Sequence, residues 1–204
     1  MKKTLLRFAA LAAAFTLAGC GQDTSVTSPD GTIQTRITLD EAGIPYLEVA
    51  ADGEPLLTPS RLGLEADGVN LSEGFTLERV TRDSRDETWT QPWGENKSLR
   101  DRHNEMAVEL RNADGVALVL RVRLFDDGLG FRYEYRTPAD SLRLTDELTR
   151  FRFAQDGPSW SIDGNYDTYE LPYRELPVSA VERANTPFTF HVGHHYGSIH
   201  EAAL

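Results

Sequence analysis

The sequence predicts an all-β domain built from antiparallel sheets, and three features carry that expectation. Asp-Gly pairs recur at Asp30-Gly31, Asp52-Gly53, Asp67-Gly68, Asp114-Gly115, Asp127-Gly128, Asp156-Gly157 and Asp163-Gly164, and this dipeptide suits the tight turns of hairpins. Most of these pairs separate short stretches in which apolar and polar residues alternate, the period-two signature of half-buried strands. Beyond residue 30 no window keeps a helical period over the length of a globular helix, and prolines interrupt residues 158–187 repeatedly.

The amino terminus is read as an address. Lys2, Lys3 and Arg7 form a charged start, and residues 8–17 form an apolar run too short for a permanent bilayer span. Leu17-Ala18-Gly19-Cys20 then places small residues before a cysteine, the pattern of a bacterial lipoprotein signal. The expected organisation is a signal peptide at 1–19, a polar tether at 20–28 starting at a lipid-modified Cys20, and one β-domain at 29–204. The expected location is the cell envelope, anchored by lipid on the periplasmic side or at the outer membrane. Gly21, where an aspartate favours inner-membrane retention, tilts the address toward the outer membrane. Cys20 is the single cysteine, so no intrachain disulfide can form and stability has to come from burial. Losing Lys2, Lys3 and Arg7 takes the formal charge from −11 to −14, a balance that argues against nucleic acid as a partner.

Among the expected strands, Ile33, Thr35, Ile37 and Leu39 share one face. Met106, Val108 and Leu110 do the same, as do Phe131, Tyr133 and Tyr135, and later Phe188, Phe190 and Val192. The continuously apolar stretch 116–125 reads as a central strand. Many short strands favour two packed sheets or a barrel, and the length favours a large sandwich. Arg121, Arg123, Arg132 and Glu134 put charge on strand faces, which suits the protection of an edge.

Three groups of residues invite a chemical reading. Trp89 and Trp93 lie four apart around Pro92, and flat aromatics beside amides and carboxylates suit sugars. A pair of core tryptophans anchoring a loop is the plainer reading. His191, His194, His195 and His200 crowd the end of the chain, but their spacing matches no zinc signature, and solvated histidines explain them better. Carboxylate pairs for glycoside hydrolysis can be drawn among Glu95, Asp101, Glu105, Asp126, Asp127, Glu170 and Glu201. An acidic chain produces such pairs by chance, and sequence does not set their separation. No nucleophile elbow, P-loop or dinucleotide fingerprint occurs.

Five motifs in order change this picture. Gln91-Pro92-Trp93-Gly94-Glu95, His103-Asn104-Glu105, the run from Phe125 to Tyr133, Ala184-Asn185-Thr186-Pro187 and Ile199-His200-Glu201-Ala202-Ala203-Leu204 together resemble the amino-terminal domain of glycoside hydrolase family 97. The resemblance runs from about Ser28 to the last residue. It implies a β-super-sandwich related to galactose mutarotase folds, followed in full-length members by a catalytic (β/α)8 barrel and a small carboxy-terminal β-domain. The chain is accordingly expected to be the front part of an α-glucosidase of the starch-utilisation type, cut before its barrel and inactive alone.

In inverting members a glutamate of the last motif, similar in position to Glu201, binds an active-site Ca²⁺ whose other glutamate ligands come from the barrel. Glu201 is therefore the expected metal residue, one of the six to eight oxygens calcium takes. The expected partners are an α-glucan or maltooligosaccharide substrate, the chain's own barrel, and the membrane through the lipid. The family also contains retaining α-galactosidases. The alternative, from the residues themselves, is an independent glycan-binding lipoprotein with Trp89 and Trp93 as its platform.

Overall fold

A computed structural model describes residues 22–137 and 141–202. The signal segment 1–19 and Cys20 lie outside the described residues. Strands follow one another as β1 (Ser25–Thr27), β2 (Ile33–Leu39), β3 (Pro45–Ala51), β4 (Glu54–Arg61), β5 (Leu64–Ala66), β6 (Val69–Leu71), β7 (Thr76–Thr90), β8 (Ser98–Arg111), β9 (Ala117–Phe125), β10 (Gly128–Arg136), β11 (Leu144–Glu147), β12 (Pro158–Ser161), β13 (Arg174–Pro177), β14 (Phe188–Val192) and β15 (His195–Ile199). A single 3-10 turn at Val178–Ala180 is the one helical element among the described residues.

These strands form four antiparallel sheets, ordered β1-β2-β3-β4, β10-β9-β8-β7, β11-β5-β6 and β13-β12-β14-β15. Consecutive strands pair through hairpins in the first two, as the turn residues require. Asp52 and Gly53, both with positive φ, make the β3–β4 turn, the conformation an Asp-Gly pair reaches with least strain. The Asp-Gly pair at 127–128 turns the chain without a positive φ at glycine, whereas those at 156–157 and 163–164 lie outside any hairpin turn, Asp163 bridging to Ala184.

The first two sheets pack face to face. Ile37, Leu47 and Val49 from one meet Met106, Val108, Leu110, Leu118, Leu120, Val122 and Leu124 from the other, and Leu62, Leu64, Leu71 and Phe75 close the side. The even-numbered residues of β8 and β9 thus point inward, as the alternation predicts. Strand β9 is an interior strand of its sheet, in agreement with its continuous apolar run. The sheet β13-β12-β14-β15 joins through Phe153, which bridges to Leu57 of β4 and packs its ring against Phe188 and Phe190.

The stretch 20–28, expected as a tether, is partly strand. β1 pairs with β2, Val26 is buried in the core, and the Gln22 side chain accepts from the Val80 N–H. One apolar residue with a free neighbouring edge suffices to order it. The charged side chains expected at an edge also take another role. Arg121 and Arg123 sit on interior strand β9, where a network crosses the outward face of the sheet. Glu105 accepts from Arg121 at 2.5 Å and Arg123 at 2.6 Å, and Glu134 accepts from Arg121 at 2.6 Å and from Arg132.

These contacts move the carboxyls. The hydrogen bond from Arg121 leads in holding Glu134 down at about 2, against an ordinary value of 4.5. Burial opposes the charged form of Glu105, but the guanidinium groups of Arg123 and Arg121 outweigh it and the net shift is downward. A depressed carboxyl stabilises the fold above its unfolded pKa, and that contribution disappears as pH falls through the folded value.

Two outcomes follow for stability. Leu120→Ala, at a fully buried site, should cost about 2–5 kcal/mol, read as a lowered midpoint in urea. Arg121→Met should lower the midpoint at pH 6, and its difference from the parent should shrink as the pH is taken from 4.5 toward 2, the window set by Glu134.

Candidate functional site

Three regions hold the residues singled out by sequence, and they differ in structure. The first is an arm. β7 and β8 remain paired from Arg85↔His103 out to Thr90↔Ser98, whereas the outermost partner of β8 on β9 is the Asn104↔Leu124 pair. The outer parts of β7 and β8 therefore run past the sheet as a two-stranded ribbon. A ribbon of this kind is marginal alone, and side-chain pairs line it. Arg100 holds Asp86 through two bonds of 2.7 Å, Arg85 meets Glu87 at 2.7 Å, and Arg102 meets Asp126 at 2.7 Å. At its root His103 is buried, 2.5 Å from Asp101 and 5.1 Å from the Phe125 ring centre.

Trp89 and Trp93 sit at the end of this arm, 51% and 83% exposed. That exposure removes the plainer reading of two core tryptophans. The loop 91–97, which carries Trp93, is closed by the Gln91 N–H donating to the Lys97 carbonyl and the Gln91 side-chain amide donating to the Asn96 carbonyl.

The second region is the end of the last sheet. β15 pairs with β14 from Val192↔His195 to Phe188↔Ile199, and the chain leaves the sheet at His200 and Glu201. Ser198 Oγ lies 3.1 Å from His200 Nε2 and 3.3 Å from Thr189 Oγ1. The Glu201 side chain is exposed, and no hydrogen bond or ion pair holds it among the described residues. A single free carboxylate does not make a calcium site. Among the described residues no three His, Cys, Asp or Glu side chains converge as metal ligands. Glu201 fits the part of one ligand in a set completed by other groups, and no more.

The third region is the set of candidate carboxylates and histidines, which the fold scatters. Glu105 is held by two arginines, Asp101 by His103, and Asp126 by Arg102 and the Asp30 N–H. Each of these carboxylates is engaged by a neighbouring side chain and is not a free acid or base. Glu95 and Glu170 lie exposed. His191 stacks on Tyr196 with ring centres 4.0 Å apart, and His195 lies 4.0 Å from Asp52. Sequence reasoning missed the burial of His103. Its position in phase with Glu105 and Ala107 was the available signal, but a polar strand face hides burial of this kind.

The class this fold defines is a multi-sheet antiparallel β-domain whose polar faces carry no complete catalytic set among the described residues. The family described as Glycosyl-hydrolase 97 N-terminal matches residues 26–204, and the chain belongs to it. A probable retaining alpha-galactosidase from Streptomyces bingchenggensis (strain BCW-1) is 31% identical over 128 residues, 62% of this chain and 20% of that protein. A Glycoside Hydrolase Family 97 enzyme variant from Pseudoalteromonas sp. strain K8, solved in complex with panose, superposes with a TM-score of 0.76 at 32% identity, covering 82% of this chain and 26% of that one. The same organism's family 97 enzyme in complex with acarbose gives 0.77 at 30% identity, with equal coverage. The chain spans about a fifth to a quarter of the length of these relatives.

The ion pairs of the arm are exposed, and such pairs contribute little each. Replacing Arg100 by Ala should therefore lower the unfolding free energy from urea denaturation by less than about 1 kcal/mol. Hydrogen exchange of the backbone amides at 85–90 should accelerate in the same variant, because Arg100 ties the two ribbon strands together through Asp86.

Proposed function

We propose that this chain is the amino-terminal domain of a calcium-dependent α-glucoside hydrolase, contributing Glu201 as one carboxylate ligand and packing on a catalytic barrel. The observation that carries the reading is the exposed carboxylate of Glu201, which follows the last strand and has no partner among the described residues. Family membership across 26–204 supports it. The α-glucoside part of the reading draws on the Pseudoalteromonas family 97 structures, which were solved with panose and acarbose, while the probable retaining alpha-galactosidase stands at a similar identity for the other specificity.

On this reading the domain does no bond-breaking. Its Ser198 and His200 brace the backbone just before Glu201, and the sheet behind them fixes where that carboxylate emerges. The bound ion would supply Lewis-acid polarisation of the substrate. The chain is held at the cell envelope through a lipid on Cys20, which metabolic labelling with a palmitate analogue checks, with the label absent from Cys20→Ala.

The purified chain should hydrolyse p-nitrophenyl α-glucoside no faster than its Glu201→Gln variant, with or without calcium. In a protein that extends this reading frame into a barrel, Glu201→Gln should weaken calcium binding by at least about 10-fold, as loss of a charged ligand does. Unchanged calcium affinity there would sink the assignment.

A second reading, an independent glycan-binding lipoprotein, draws on the exposure of Trp93 at the arm's end. Binding of maltoheptaose by the purified chain, lost in Trp93→Ala, would select it.

A further inference from the structure

We infer that the outward face of the sheet β13-β12-β14-β15 is a carbohydrate-binding platform, separate from the arm tryptophans and ending beside Glu201. The register defines the face. Trp160 lies opposite Glu175 on one side and Thr189 on the other, Thr189 lies opposite Ser198, His191 opposite Tyr196, and Pro158 opposite Pro177. Directly paired residues project to the same side of a sheet. The alternate residues Ser159, Ser161, Phe190 and Val192 are buried, so the Trp160 side is the outer one.

The make-up of this face is unusual for a solvent-exposed sheet. It holds no leucine, isoleucine, valine or methionine, yet it carries Trp160, Tyr196 and two prolines. Tyr196 is 72% exposed, and its ring lies parallel to His191 at 4.0 Å. The stack fixes the tyrosine, so its other surface is presented at little entropic cost. Gly197, on the inner side of β15, lies so close to the Phe190 ring that a side chain there would collide with it. This contact presses the strand onto the core and holds Tyr196 outward.

Polar groups surround the rings. Thr189 Oγ1, Ser198 Oγ and His200 Nε2 form a chain of contacts at 3.3 and 3.1 Å, and the Trp160 Nε1–H donates to Glu175 at 3.2 Å. An open hollow lined by Asp156, Gly157, Pro158, Glu175, Leu176 and Pro177 lies beside the β12–β13 pair that carries Trp160, with Leu176 in register with the buried Ser159. The strand spacing and rise put the Trp160 and Tyr196 backbones roughly 12 Å apart, the scale of a short oligosaccharide. Aromatic surfaces flanked by hydroxyl, imidazole and carboxylate groups match a pyranose, which offers an apolar C–H face and a rim of hydroxyls. A protein partner would call instead for aliphatic side chains at the centre of the patch, and this face has none.

The test is calorimetric titration of the purified chain with maltoheptaose, cellohexaose and stachyose in turn, in EDTA so that no cation takes part. Saturable binding to at least one is expected. Tyr196→Ala should weaken it about 5- to 10-fold, and Trp160→Phe should weaken it less. Trp93→Ala should leave it unchanged. Far-UV and near-UV circular dichroism establishes that each variant is folded. Binding to none of the three sugars would overturn the inference. So would affinity that survives both Tyr196→Ala and Trp160→Phe, affinity lost only in Trp93→Ala, or self-association of the chain abolished by Tyr196→Ala in the absence of sugar binding.

Discussion

Everything in this molecule depends on one packing contact, the inner face of β8 and β9 against β2 and β3. Met106, Val108, Leu110, Leu118, Leu120, Val122 and Leu124 are fully enclosed there or nearly so, opposite Ile37, Leu47 and Val49. With no disulfide available in the chain, burial of this apolar surface is the principal force holding the sheets together. The period of two then dictates the rest. If even-numbered residues of β8 face the core, then His103, Glu105, Ala107 and Glu109 must face the other way. That side is finished by arginines crossing from β7, β9 and β10. The outward network is a consequence of the inward one.

The same logic places the regions of functional interest at the margins. The arm extends where β9 has run out and the core can no longer supply a third strand. The last sheet is attached through Phe153 and Phe190, and its final strand leads to Glu201. A domain built in this way presents an exposed carboxylate and an aromatic face at the margin of its sheets, and family membership extends over 26–204.

How much of this could be read from sequence varied with the physical signal. The alternation at 33–39 and at 106–110 was unambiguous because one face of each strand is apolar, and the observed faces agree. The continuous run at 116–125 correctly marked an interior strand. The pairing of β11 with β5 was invisible, since Leu144–Glu147 is short, exposed and joined to a distant partner. The arm was equally hidden. Residues 84–90 carry no apolar alternation, and their strand character comes from cross-strand charge pairs that local pattern does not record. The polar neighbours of Val26 read as a tether, yet the buried valine lies in strand β1. For the site, the motif ending in Glu201 was legible only through family resemblance. Trp160 and Tyr196 come together through register across three strands, which no spacing in the sequence reveals.

The most direct test of the central claim is anomalous diffraction from crystals of the barrel-extended protein grown with calcium. The account predicts an ion with a Glu201 carboxylate oxygen about 2.3–2.6 Å away and its remaining ligands drawn from outside this domain. An ion coordinated entirely by other groups, with Glu201 turned into solvent, would contradict it.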